Sequence, residues 1–68
     1  MPLWLVMASW SDDEGELTQE WEVNVPSEDE AIREVVMLLP SKPQHIEVKL
    51  LSDTAPPDLG PGQAKRLQ

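Results

Sequence analysis

Apolar residues along this chain fall into four runs with different spacings, and each spacing predicts a different element. Leu3 to Trp10, LWLVMASW, is short and dense. Leu3, Leu5 and Met7 occupy one parity; Trp4, Val6, Ala8 and Trp10 occupy the other. A strand apolar on both sides belongs in the interior of a sheet with both faces covered. Thr18 to Val25 alternates instead: Trp21, Val23 and Val25 on one face, Glu20, Glu22 and Asn24 on the other. That is the pattern of a half-buried strand. Gln44 to Ser52 repeats it, with Ile46, Val48 and Leu50 on one side and Glu47, Lys49 and Leu51 on the other. The predicted strands span about 3–10, 18–25 and 45–52.

Between the second and third strands the period changes. At about 100° per residue, Ala31, Ile32, Val35, Val36, Leu38 and Leu39 gather on one side of a helix, and Met37 falls outside. Ser27 with Glu30 three residues later forms a capping box, in which hydroxyl and carboxylate each bond the other residue's backbone N–H. Glu28, Asp29 and Glu30 suit the positive end of the helix dipole. Pro40 ends the helix and Pro43 reinforces the stop, which places it at about 28–39. SDDEGE, Ser11 to Glu16, reads as a hairpin turn.

The order strand–strand–helix–strand predicts an α+β fold, a ββαβ domain over residues 1–53. A right-handed crossover sets the third strand beside the first, giving a three-stranded sheet of order 2-1-3 with the helix on one face. Residues 54–68 contain Pro56, Pro57, Gly60, Pro61 and Gly62 and little apolar pattern. They read as a Pro/Gly-rich flexible tail.

Composition narrows the chemistry. With 68 residues the chain has room for one small domain, which buries only about 60% of its unfolded surface. Such domains often rely on disulfides, a metal or a partner. The chain has no Cys and one His, so disulfides and thiolate or multi-His zinc sites are excluded. A partner subunit is the support that remains. No apolar run approaches the ~18 residues of a membrane span, and Met1 to Trp10 lacks the cationic start of a secretory signal. The expected location is cytoplasmic, with no membrane partner.

The net charge of −8 is unevenly placed. Residues 1–32 hold nine acids and no Lys or Arg; residues 33–68 hold four acids and five bases. The halves therefore carry −9 and +1. Direct nucleic-acid binding needs clustered cations, which the first half does not have.

Most of the candidate sites have a simpler structural reading. Asp12, Asp13, Glu14 and Glu16 offer oxygen ligands for a hard cation, but their spacing is not that of a calcium loop, and a solvated turn is the simpler reading. His45 has no partner spacing that would make it a base. Gly60 and Gly62 neither follow a strand nor open a helix, so they form no phosphate cradle. Pro40-Ser41-Lys42-Pro43 matches PxxP but sits where a helix must stop. Met1-Pro2 followed by an apolar strand resembles the opening of the tautomerase superfamily, in which an exposed N-terminal proline is a general base. That resemblance implies an enzyme with Arg33 or Arg66 as the substrate's carboxylate partner. It covers only the first few residues, and the family continues with a long helix where this chain continues with a hairpin. No catalytic residue, cofactor or metal is therefore expected.

The apolar surplus carries the functional expectation. One helix covers one sheet face, yet the central strand offers large side chains to both. The set Trp4, Val6, Trp10, Leu3, Leu5, Met7 and Leu51 is the candidate interface, with one parity of the first strand emerging on the open face. Asp12, Asp13, Glu14, Glu16, Glu20 and Glu22 are its expected acidic rim. The leading expectation is a small acidic, non-enzymatic protein–protein interaction module, using an apolar sheet face or a strand edge, with another protein or a second copy as partner. The alternative is an acidic decoy for a basic, nucleic-acid-binding protein surface.

Overall fold

A computed structural model describes all 68 residues. The elements are β1 (Leu3–Asp12), β2 (Gly15–Asn24), α1 (Glu28–Leu38), β3 (His45–Ser52) and β4 (Ala64–Arg66). One helix and an antiparallel sheet make this an α+β fold. The sheet has four strands in the order β3-β1-β2-β4, where three in the order 2-1-3 were expected. The expected neighbours are kept, with β1 between β2 and β3. The addition is β4, which comes from the stretch expected to be a flexible tail. Ala64, Lys65 and Arg66 pair with Val23, Glu22 and Trp21. These residues have little strand propensity of their own, and the open edge of β2 supplies the template.

The hairpin is longer than expected and its turn shorter. Asp12 pairs with Gly15, so only Asp13 and Glu14 form the turn. The Asp12 carboxylate accepts from the Glu14 N–H at 2.8 Å, and Gly15 has φ +134°, a value L side chains rarely adopt. The ladder runs on through polar residues because its bonds are made by backbone, while their side chains stay in water.

The helix is capped as its sequence directs, in part. The Ser27 hydroxyl accepts from the Glu30 N–H at 3.3 Å. The return bond from the Glu30 side chain is not formed. Leu39, just before Pro40, is extended (φ −79°, ψ 148°), as a residue preceding proline prefers.

The core lies between α1 and the sheet. Val6, Val23, Val25, Ala31 and Val35 are buried together, with Trp4, Trp21, Leu39, Ile46, Val48 and Ala64 packed around them. The even residues of β1 therefore face the helix. This overturns Trp4 and Val6 as interface residues: both are core, and the Trp4 indole N–H bonds the Val25 carbonyl at 3.0 Å. The helix buries less than its apolar arc promised. Ala31 and Val35 are buried, while Val36 and Leu38 are 42% and 53% exposed. Leu50, expected under the helix, is 49% exposed. Eleven helical residues span about 16 Å, whereas a ten-residue hairpin arm spans about 33 Å. One helix of this length covers only half of the hairpin, and the molecule is elongated at 40 × 19 × 18 Å.

Candidate functional site

The open face of the sheet was the first expected site, and it is smaller than the sequence suggested. Directly opposed residues share a face, so the register places Lys49, Leu5 and Glu22 in one row with Lys65 beyond them. Glu47, Met7 and Glu20 form the next row. Only Leu5 and Met7 remain there as half-buried apolar residues. Leu3 is buried, and so is Leu59, both outside the helix-side core. Asn24, which pairs with Leu3, donates its side-chain N–H to the Leu59 carbonyl at 2.9 Å. The C-terminal segment thus crosses the Leu3 end of this face. Backbone bonds from Asn24 to Gln63 and from Gly62 to Asn24, at 3.0 and 2.7 Å, fasten it.

The acidic rim divides in the same way. Glu20 and Glu22 do border Leu5 and Met7. Asp12, Asp13, Glu14 and Glu16 lie out at the exposed hairpin end, beyond Ser9 and Thr18, and do not. No three Asp, Glu or His side chains converge as a metal-ligand set. Trp10 lies at that hairpin end on the helix side. Its indole N–H bonds the Lys42 carbonyl at 3.1 Å, and Gln44 bonds both the N–H and the carbonyl of Ser11. It therefore anchors the connector after α1, and does not belong to an open-face stripe. Leu51 is displaced as well. The β1–β3 register slips between Leu3 and Trp4, which pair with Ser52 and Leu50, so Leu51 is a bulge residue without a cross-strand partner.

A site that pattern reading did not single out lies on the other side of the sheet. Ile32, Val36 and Leu39 of the helix side share with Ile46 an open groove of about 510 Å³, also lined by Ser41, Lys42 and Pro43. No residue of β1 or β2 lines it, and Ile46 is the residue through which it meets β3. β3 is an edge strand of eight residues with no proline. None of the turn and loop backbone hydrogen bonds involves residues 45–52. The outward N–H and C=O groups of β3 are therefore free beside an apolar trough. The opposite edge is different: β4 has three residues. Short edge strands resist further pairing, and long unblocked ones invite it.

The sequence carried two signals for this site. Helix positions 32, 36 and 39 recur at 3.6-residue spacing beyond what Ala31 and Val35 need. The β3 segment also lacks a proline or an inward charge to block its edge. What hid the site is the seat of the helix, over β1 and β2 more than over β3.

His45 contacts Glu47 at 3.0 Å on the exposed end of β3, and both side chains are mostly solvated. Pro2 is half-buried beside Met1, whose carbonyl accepts from the Ala55 N–H at 3.2 Å. No helix is long and apolar enough to cross a membrane. No family model, no curated protein and no solved structure matches the chain.

Proposed function

We propose that the protein is a small non-enzymatic interaction module that binds an extended strand along β3. The single observation that carries this reading is the unpaired eight-residue edge whose Ile46 lines the apolar groove at α1. An added strand satisfies the free backbone groups of β3, and alternate side chains enter the groove. The backbone supplies affinity; Ile32, Val36, Leu39 and Ile46 supply preference for aliphatic residues at every second position.

Selection of random nine-residue peptides on the immobilised chain tests this reading. The expected winners alternate Val, Ile or Leu with polar residues. They bind at least tenfold more weakly to Val36→Glu, which sets a charge in the groove on a side chain already 42% exposed. Circular dichroism checks that the variant keeps its fold. Absence of enrichment, or equal binding to Val36→Glu, refutes strand addition at this edge.

A further inference from the structure

The strand that fits the β3 edge best is β3 of a second copy. We infer that the chain forms a two-fold dimer by antiparallel β3–β3′ pairing centred on Val48, extending the four-stranded sheet to eight strands. This rests on the strand-addition reading above and names the partner.

The argument is one of register. A two-fold axis that pairs an edge strand with its own copy stands perpendicular to the sheet. It therefore keeps both helices on one face and sets each residue opposite one of its own parity. Four registers pair at least five of the eight residues. Centring on Leu50 sets Lys49 against Leu51′ and leaves Glu47 outside the paired strand. Centring on Glu47 sets Glu47 against Glu47′, and centring on Lys49 sets Lys49 against Lys49′; both oppose like charges directly. Centring on Val48 sets Glu47 against Lys49′ and, by symmetry, Lys49 against Glu47′. The same register brings Ile46 against Leu50′ and Val48 against Val48′ on the helix side. It is the one register of the four in which both Glu47 and Lys49 meet an opposite charge.

Each protomer is incomplete in the places this pairing would complete. Lys49 is exposed and has no carboxylate within 4.0 Å, since the ion pairs are His45–Glu47 and Lys65–Asp58. Leu50 is 49% exposed on the helix side of the sheet. Ile46 floors the groove, and Val36 stands on its wall 42% exposed. In the dimer Ile46, Val48 and Leu50 of both copies form one apolar floor between the two helices. The far edge, β4, is too short to compete as a docking strand.

Glu47 and Lys49 lie on the side of the sheet away from the helix, so charge variants there test the register without disturbing the core. Light scattering during size exclusion of the full chain should give twice the 7.7 kDa protomer mass. Glu47→Lys sets like charges opposite Lys49′ at two symmetric places, and Lys49→Glu does the same with the opposite sign. Each single variant should raise the dimer Kd about tenfold or more. Mixed one to one, the two single variants should recover a heterodimer, because both lysines of the first variant then face glutamates of the second. The double variant Glu47→Lys/Lys49→Glu should dimerise like the parent. A strict monomer at millimolar concentration overturns the dimer, as does a dimer indifferent to both single variants or one that mixing fails to restore. Peptide selection tells the two failures apart. A monomer that enriches strand-like peptides retains the module and loses only the second copy as its partner.

Discussion

Asn24 holds more of this molecule together than its polar character suggested. It is 5% exposed, and its backbone and side chain make three bonds to the segment between Leu59 and Gln63. Its side-chain oxygen has no partner. Asn24→Ala removes the bond to Leu59 but also removes that orphan acceptor, so the expected cost is modest, about 1 kcal/mol. Val23 next to it is fully buried among apolar neighbours. Val23→Ala removes two methyl groups and leaves a void, an expected loss of about 2–3 kcal/mol. Chemical denaturation of both variants checks this order. If Asn24→Ala costs more than Val23→Ala, the polar clamp outweighs core packing. Polar alternation placed Asn24 on the face away from the helix, and that is where its side chain points. What alternation could not show is that residues 35 positions later come back to cover it.

At the scale of elements, β4 is the strand with no pattern of its own. Ala64, Lys65 and Arg66 have neither β-branched nor aromatic side chains, and Pro56, Pro57 and Pro61 precede them. They are extended because β2 offers an unpaired edge and because Gly62, at φ +77°, turns the chain onto it. Deleting residues 54–68 removes this pairing and exposes both the β2 edge and Leu3. Burial of Leu59 alone is worth about 1.5–3 kcal/mol. Lost pairing adds to that, against a total of about 3–10 kcal/mol for a chain of this length. The truncated chain should melt more than about 10 °C lower, and hydrogen exchange at β2 amides should accelerate. An unchanged melting temperature would show that the segment is a passenger. The helix shows the converse. Its cap, its first-turn acids and its stop at Pro40 were all written locally, and its boundaries came out within a residue. Its contact with the sheet was not. Six residues shared an arc, yet only Ala31 and Val35 are buried, since an arc states which side is apolar and not how far the sheet extends beneath it.

For the whole molecule, charge works against compactness. The first 32 residues hold nine acids and no base, and the two ion pairs of the structure are exposed and pair none of those nine. Self-repulsion of that half is unrelieved at low ionic strength. In dilute protein, raising sodium chloride from about 0.01 to 0.5 M shortens the screening length from about 30 Å to about 4 Å and should stabilise the fold. About 1 kcal/mol of relief corresponds to a rise of about 4–8 °C in the melting temperature. A fall with salt would mean that favourable pairs dominate. The strands of the hairpin, the helix with its cap and stop, the third strand and the central place of β1 were all legible along the chain, because each depends on periodicity or on bonds between near neighbours. The sequence also located the charge. Tertiary structure alone decided which parity of β1 meets the helix, that the C-terminal segment becomes a strand and covers Leu3, and that the exposed groove lies beside β3. Those outcomes depend on where a short helix comes to rest on a longer sheet and on which edge is left unpaired, and neither quantity is a property of any one segment.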